Sequence, residues 1–387
     1  MKMAIWSMFA AVCLCVAPWA ATLVAQDAAA TAAKPGAAKP VVQIAVLLDT
    51  SNSMDGLIEQ AKSQLWRIVN EFTVCKRNGM RPDVQVALYQ YGTPSLGADN
   101  GFVRQIVPLT LDLDRISEEL FKLNTDGGDE YCGTVIQHAV KNLPWSANKA
   151  DFKVIFIAGN EPFDQGQIDF RAAVKEAVDK GVVVNTIFCG NEGEGINTHW
   201  KDGAVLGGGQ FMTIDSDKKA VHIDAPQDKR LVELSASINT TFLFYGAERA
   251  RFAGNQAVQD GNAAKAAPAA AAQRAITKGS SAYNYSDHDL VDAVKEGKVK
   301  LEEVKKEDLP DDLKKLSAEE LKKAVETKQA ERAKIQKEIA DLRKAREEFV
   351  AKKSKEMAKE GGKTLEDAVI GAIRKQAQDA GFEFDKT

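Results

Sequence analysis

Val41-Val42-Gln43-Ile44-Ala45-Val46-Leu47-Leu48-Asp49-Thr50-Ser51-Asn52-Ser53 is the stretch on which the fold turns. The run up to Leu48 is almost wholly apolar, as expected of a strand covered on both faces. A helical pattern follows at once: Leu57, Ala61, Leu65, Ile68, Val69 and Phe72 recur at spacings of three and four. One carboxylate and two hydroxyls therefore stand where a buried strand ends and a helix begins. Alternate residues of an extended segment point the same way, so Asp49, Ser51 and Ser53 can converge on one point. One charged and two neutral oxygens suit a hard cation such as Mg²⁺, Ca²⁺ or Mn²⁺. The same hydroxyls also suit a simpler task, capping the helix.

The same alternation continues outward. Asp83–Tyr91 reads as a strand, Thr93–Gly101 as a hairpin loop, and Phe102–Leu111 as a returning edge strand, because Pro108 cannot donate to a ladder. A short helix capped by Asp112 or Asp114 leads to the loop Asn124-Thr125-Asp126-Gly127-Gly128-Asp129-Glu130-Tyr131-Cys132-Gly133. Its acidic and amide side chains and three glycines suit ligand binding better than a core. Lys153–Ala158 and Val182–Cys189 read as buried strands and Ile168–Lys180 as the helix between them. A short strand, Gln210–Ile214, and a helix, Lys229–Tyr245, close the unit. Strands alternating with helices imply a mostly parallel sheet covered on both faces. Ligands bind such sheets at the carboxyl ends of the strands. Asp49, Asn160 and Cys189 all fall there.

On these residues the chain resembles the von Willebrand factor type A (vWA) domains, from Val41 to about Gly246. Asp-x-Ser-x-Ser after a first hydrophobic strand is similar to the first loop of their metal-ion-dependent adhesion site. The resemblance implies a Rossmann-like α/β sandwich with a mostly parallel central sheet. It also implies a Thr on a second loop and usually an Asp on a third. Here Gly127-Gly128 is followed by Asp129 and Glu130, and the third loop reads Ile157-Ala158-Gly159-Asn160-Glu161. The Asp position is thus Gly159. The implied metal set is Asp49, Ser51, Ser53 and Asp129, with Asp129 replacing the lost charge. Asn160, Glu161, Glu130 and Asp126 are expected to support these ligands, the first two through water. The implied cofactor is a divalent cation, Mg²⁺ first, Mn²⁺ or Ca²⁺ otherwise. The implied partner is a protein whose own carboxylate completes the cation's shell.

The chain has 387 residues and a formal net charge of −4, which argues against a dedicated nucleic-acid binder. Residues 1–25 read as a signal peptide: one Lys, then an uncharged apolar run. The run is also long enough for an uncleaved membrane anchor. Either way the protein is expected outside the cytoplasm, periplasmic or secreted. Cys13 and Cys15 lack the upstream Leu of a lipoprotein site. Of the other cysteines, Cys132 and Cys189 fall at the same sheet edge and Cys75 at the opposite one. A Cys132–Cys189 bridge with Cys75 free is the expected arrangement.

Residues 26–40 read as a linker, 41–250 as the vWA domain, 251–280 as a second linker and 281–387 as a helical region. Ser317-Ala318-Glu319-Glu320 opens one long helix with a capping box. Ile335, Ile339, Leu342 and Phe349 follow a short a/d seam, which suits a helix packed back on the chain or a coiled-coil dimer. A final helix capped by Thr364 ends near Phe382 and Phe384, which are expected to dock. No enzyme is expected. His138, His199, His222 and His288 lack zinc spacing, a Cys132/His138 pair points apart on a helix, and Gly207-Gly208-Gly209 lacks a phosphate-loop Lys. The expected function is a metal-dependent protein-binding module. The alternative is a structural or assembly scaffold working through its C-terminal helices, with a degenerate metal site.

Overall fold

The structure, a computed structural model, describes residues 39–214, 223–358 and 365–384. The proposed signal segment, most of the first linker, His222 and Thr364 lie outside the described residues. Among the described residues no helix is long and apolar enough to cross a membrane.

The first strand, β1, runs Val41–Asp49. Val42, Ile44 and Leu48 face one buried cluster, while Ala45 and Leu47 face another. That period of two is what a strand buried on both faces requires. The helix α1 (Asp55–Thr73) leads through the short β2 (Cys75–Lys76) to β3 (Asp83–Tyr91). β4 (Val103–Thr110) returns antiparallel to β3, with a register shift near Leu88. Its Pro108 is exposed at the sheet edge. Two helices, α2 (Leu113–Phe121) and α3 (Cys132–Asn142), lead to β5 (Phe152–Gly159). Then come α4 (Phe170–Asp179), β6 (Val183–Cys189), α5 (Glu192–Asn197), α6 (Trp200–Leu206) and β7 (Gly208–Ile214). The strand order is β4-β3-β1-β5-β6-β7, parallel except for β4. The chain leaves β1 toward β3 and later returns to its other side at β5. That reversal opens a crevice at the carboxyl end of β1.

The helix expected over Lys229–Tyr245 is shorter: α7 spans Asp228–Asn239. The second expected linker is not a linker. All but three of residues 251–280 lie in two helices, α8 (Arg249–Ala266) and α9 (Pro268–Lys278). Alanine is the best helix former, and Pro268 sits in the first turn, where its missing N–H costs nothing. Every residue from Ala269 to Lys278 is buried. The small side chains bring α9 close to α1 and α7, and its polar residues are matched there. Asn70 Nδ2 donates to Gln273 Oε1 at 2.7 Å, and Thr277 Oγ1 donates to Asn70 Oδ1 at 2.8 Å. Arg274 pairs with Asp114 at 2.5 Å and Asp260 at 2.6 Å and lies over the Trp66 ring. An alanine-rich segment reads as a linker only when these partners, up to two hundred residues away, are not in view.

The remainder continues this body. α10 (Leu290–Lys295) precedes α11 (Ala318–Ala358), which starts with the expected capping box: Ser317 N donates to Glu320 Oε2 at 2.8 Å, and Glu320 N donates to Ser317 Oγ at 3.3 Å. Ile335, Ile339 and Leu342 pack beside Leu231, Phe242 and Ile276. The seam is thus used within the chain, by a helix packed back on it. Three buried arginines fasten it: Arg332 to Asp289 and Asp292, Arg343 to Asn70 O, and Arg346 to Asp228. α12 (Leu365–Asp379) lies against α1 and β7. β8 (Glu383–Phe384) pairs with β2, and Phe382 is buried under Arg77.

Replacing Arg274 with Met keeps its length and strands the buried Asp114 carboxylate. The expected cost is about 3–5 kcal/mol of unfolding free energy, read from urea midpoints. A change below about 1 kcal/mol would mean the pair acts like a surface ion pair.

Candidate metal site

Asp49 is the last residue of β1 and is fully buried. The backbone N–H of Ser51 donates to its Oδ1 at 2.7 Å, which folds the loop back over the strand end. A short turn, Asn52–Met54, separates that loop from α1. Thr50 fastens the loop on two sides. Its N–H and hydroxyl both donate to Tyr91 O, at 2.9 and 3.0 Å, and its carbonyl accepts from Asp126 N at 2.9 Å. The last bond draws the second loop onto the first. Ser51 is buried beside Asp49. The Ser53 side chain lies outside the described residues.

On the second loop the structure departs from the sequence reading. Asp129, the expected second charged ligand, is exposed, and its carboxylate accepts a 3.3 Å bond from Tyr131 OH. Its neighbour Glu130 is turned inward and buried. The Glu130 carboxylate meets Asp49 and Ser51 and accepts from the backbone N–H of Glu161. Gln165 holds the Glu130 backbone N–H at 3.0 Å. Adjacent loop residues point to opposite sides, so only one of the two can face the strand end. Asp126 and the Glu161 side chain are exposed, and Asn160 is half-buried.

Two glycines make room for this pair. Gly92, at φ +83°, has backbone that L side chains rarely adopt, and a Cβ there would stand 2.6 Å from Asp49 Oδ1 and 2.9 Å from Glu130 Cγ. At Gly159 a Cβ would stand 2.5 Å from Tyr91 OH and 3.1 Å from Asp49 Oδ2. The Tyr91 hydroxyl donates to Ala158 O at 2.9 Å and fills that space. The third-loop position therefore has no room for an Asp, and the second carboxylate comes from Glu130.

Both carboxyls are held above their usual range. For Asp49 the main cause is burial, reinforced by Glu130 and opposed by the Ser51 bonds; for Glu130 it is again burial. Asp49 Oδ2 has no hydrogen-bond partner among the described residues. Two buried, facing carboxylates with an unsatisfied oxygen fit a positive charge between them. Among the described residues no cluster of three or more His, Cys, Asp or Glu is arranged to hold a metal ion. Further donors at this site are thus hydroxyls, backbone or water, as a hard cation accepts.

The expected disulfide is not formed. Cys75, Cys132 and Cys189 are all free and buried. Cys132 Sγ lies 3.8 Å from Tyr91 OH, so its neighbour is the phenol that also fills the Gly159 space. Burial pushes both the Cys132 and Cys189 thiols up, away from the reactive thiolate.

A parallel sheet with loops converging on a carboxyl-edge site defines a Rossmann-like α/β domain. Residues 43–198 match the family model described as "von Willebrand factor type A domain", and the chain contains a vWA domain. Domains of this family often mediate protein–protein interaction and commonly bind a divalent cation. No curated protein matches the chain significantly. Among solved structures, the chain is similar to the conserved hypothetical protein BatB of Bacteroides thetaiotaomicron, at 18% identity and a TM-score of 0.35, over 45% of this chain and 90% of that one. It is also similar to a von Willebrand factor type A protein of Catenulispora acidiphila, at 15% and 0.34, over 45% and 39%. A third is the pilus adhesin SpaC of Lactobacillus rhamnosus GG, at 14% and 0.34, over 46% and 28%.

The raised pKa values have a checkable sign. A carboxyl raised in the folded state adds stability at low pH that is lost as pH rises through its folded pKa. Metal-free protein should therefore weaken from the ordinary carboxylate range upward through the raised values. Glu130→Gln removes one charge of the pair and should stabilise the metal-free protein at neutral pH by about 1–3 kcal/mol, with a flatter pH profile. A variant less stable than wild type in EDTA would contradict the pairing.

Proposed function

We propose that the vWA domain is a metal-dependent protein-binding module working outside the cytoplasm, without catalysis of its own. Asp49, Ser51 and Glu130 would hold a divalent cation, Mg²⁺ by preference, with Ser53 on the same loop. The cation supplies positive charge and an open coordination position for an oxygen ligand. The chain's own residues do the rest: β1 and Thr50 fix the first loop, Gln165 and the Glu161 N–H aim Glu130, and Gly92 lets both carboxylates approach. The partner contributes the carboxylate that completes the shell. The observation carrying this reading is the fully buried Asp49 carboxylate, whose Oδ2 lacks a hydrogen-bond partner among the described residues, with the Glu130 carboxylate close against the same group. The extracytoplasmic location rests on the apolar N-terminal segment.

Calorimetry with Mg²⁺ and Mn²⁺ tests the site. Asp49→Asn and Glu130→Gln should each weaken binding about tenfold or more, and Asp129→Asn should leave it unchanged. Equal affinity in wild type, Asp49→Asn and Glu130→Gln would refute the assignment. Loss in Asp129→Asn alone would return the second ligand to Asp129. Partner capture from envelope extract, lost on adding EDTA and in Asp49→Asn, tests the function itself.

A further inference from the structure

The loops around the site carry a one-sided charge. Residues 50–54, 92–102, 123–131, 160–169 and 190–199 hold nine Asp and Glu and no Lys or Arg. Those nine exceed the whole formal net charge of −4. The loops after β1, β3, β5 and β6 leave from the same edge, because these four strands are parallel. β7 is parallel to them too; residues 215–222 after it, which include Lys218 and Lys219, lie outside the described residues. The bond from Asp126 N to Thr50 O brings the fifth loop to that edge. Of the nine, only Glu130 is buried. Asp164 lies near His199 and Asp169 near Arg171. Among the described residues, Asp99, Asp126, Asp129, Glu161, Glu192 and Glu194 have no Lys or Arg within ion-pair distance.

An acidic rim is not by itself a site. Here it surrounds a fully buried carboxylate, Asp49, with an oxygen that lacks a hydrogen-bond partner. A cation there offsets Asp49 and Glu130 and leaves Asp99, Asp126, Asp129, Glu161, Glu192 and Glu194 uncompensated. A partner's carboxylate approaching the cation meets their repulsion within a screening distance of about 8 Å at physiological salt. A neutral or acidic partner surface pays that repulsion in full, whereas a basic one turns it into attraction.

We propose that this edge accepts a protein segment rich in Lys and Arg, whose cationic side chains lie against the exposed rim while one Asp or Glu of its own reaches the site. Only that last contact rests on the metal-bridging reading. The basic character rests on the rim.

The test uses the full chain and short synthetic peptides with one central Asp flanked by Lys and Arg, by Ser, or by Glu. Affinities are measured in Mg²⁺ and in EDTA, at low and at physiological salt. The basic-flanked peptide should bind about tenfold tighter than the Ser-flanked one. Its advantage should shrink with added salt and in the triple variant Asp99→Asn/Glu192→Gln/Glu194→Gln. These residues lie outside the proposed ligand set, so Mg²⁺ affinity serves as the control for folding. If binding needs Mg²⁺ and the central Asp but ignores the flanks, the rim proposal is overturned and the bridging reading stands. If the basic preference persists in EDTA and without the Asp, the proposal holds and the bridging reading falls. No binding by any peptide overturns the proposal.

Discussion

Asp49 and Glu130 face each other in the protein interior, and everything at the carboxyl edge is arranged around that contact. Two like charges out of water repel, and their attraction to anything else must offset the desolvation. Ser51 N–H and Glu161 N–H each satisfy one side of the pair. Gly92 and Gly159 contribute space, the first through a left-handed backbone and the second by yielding to Tyr91 OH. What remains is an unsatisfied Asp49 oxygen beside a second carboxylate. A cation meets that demand with one ion, where the protein alone has only a proton to place there.

The C-terminal helices bear on the site through the frame that holds it. α1 starts just after the first loop, and its far end is gripped by residues from three later helices: Asn70 by Gln273 and Thr277 of α9, Asn70 O by Arg343 of α11, and Glu71 by Arg374 of α12. These contacts are polar and the α1 side of each is buried, so losing a partner there leaves a buried group with fewer bonds. The region after the sheet is thus part of one body with the vWA domain. Its apolar seam is consumed inside that body.

Much of this was legible in sequence. The apolar run ending at Asp49, the 3.6-residue pattern of α1 and the alternating strands follow from local periodicity, which a sheet buried on both faces imposes on every strand. Pro108 marked the edge strand and Ser317 with Glu320 marked the start of α11 for equally local reasons. The choice of Glu130 over Asp129 was not legible, because it depends on which way one loop residue turns once Thr50 and Gln165 have fixed the backbone. The role of Gly159 was read as a missing ligand, whereas the structure shows a space filled by Tyr91 from a neighbouring part of the sheet. The helices over 251–280 are illegible for the same reason: an alanine-rich segment gains its buried face from distant partners, Leu231 and Phe242 on the apolar side and Asn70, Asp114 and Asp260 on the polar side. Local pattern identified the elements, and long-range polar pairing decided the site and the domain boundary.

The central claim is that the Asp49–Glu130 pair is built around a cation. A crystal structure with Mn²⁺ soaked in tests it most directly, through the metal's anomalous signal. The account predicts a peak in contact with Asp49, Ser51 and Glu130, with Asp129 still bonded to Tyr131. A peak on Asp129 instead, or Asp49 and Glu130 sharing a hydrogen bond with no peak between them, would contradict it.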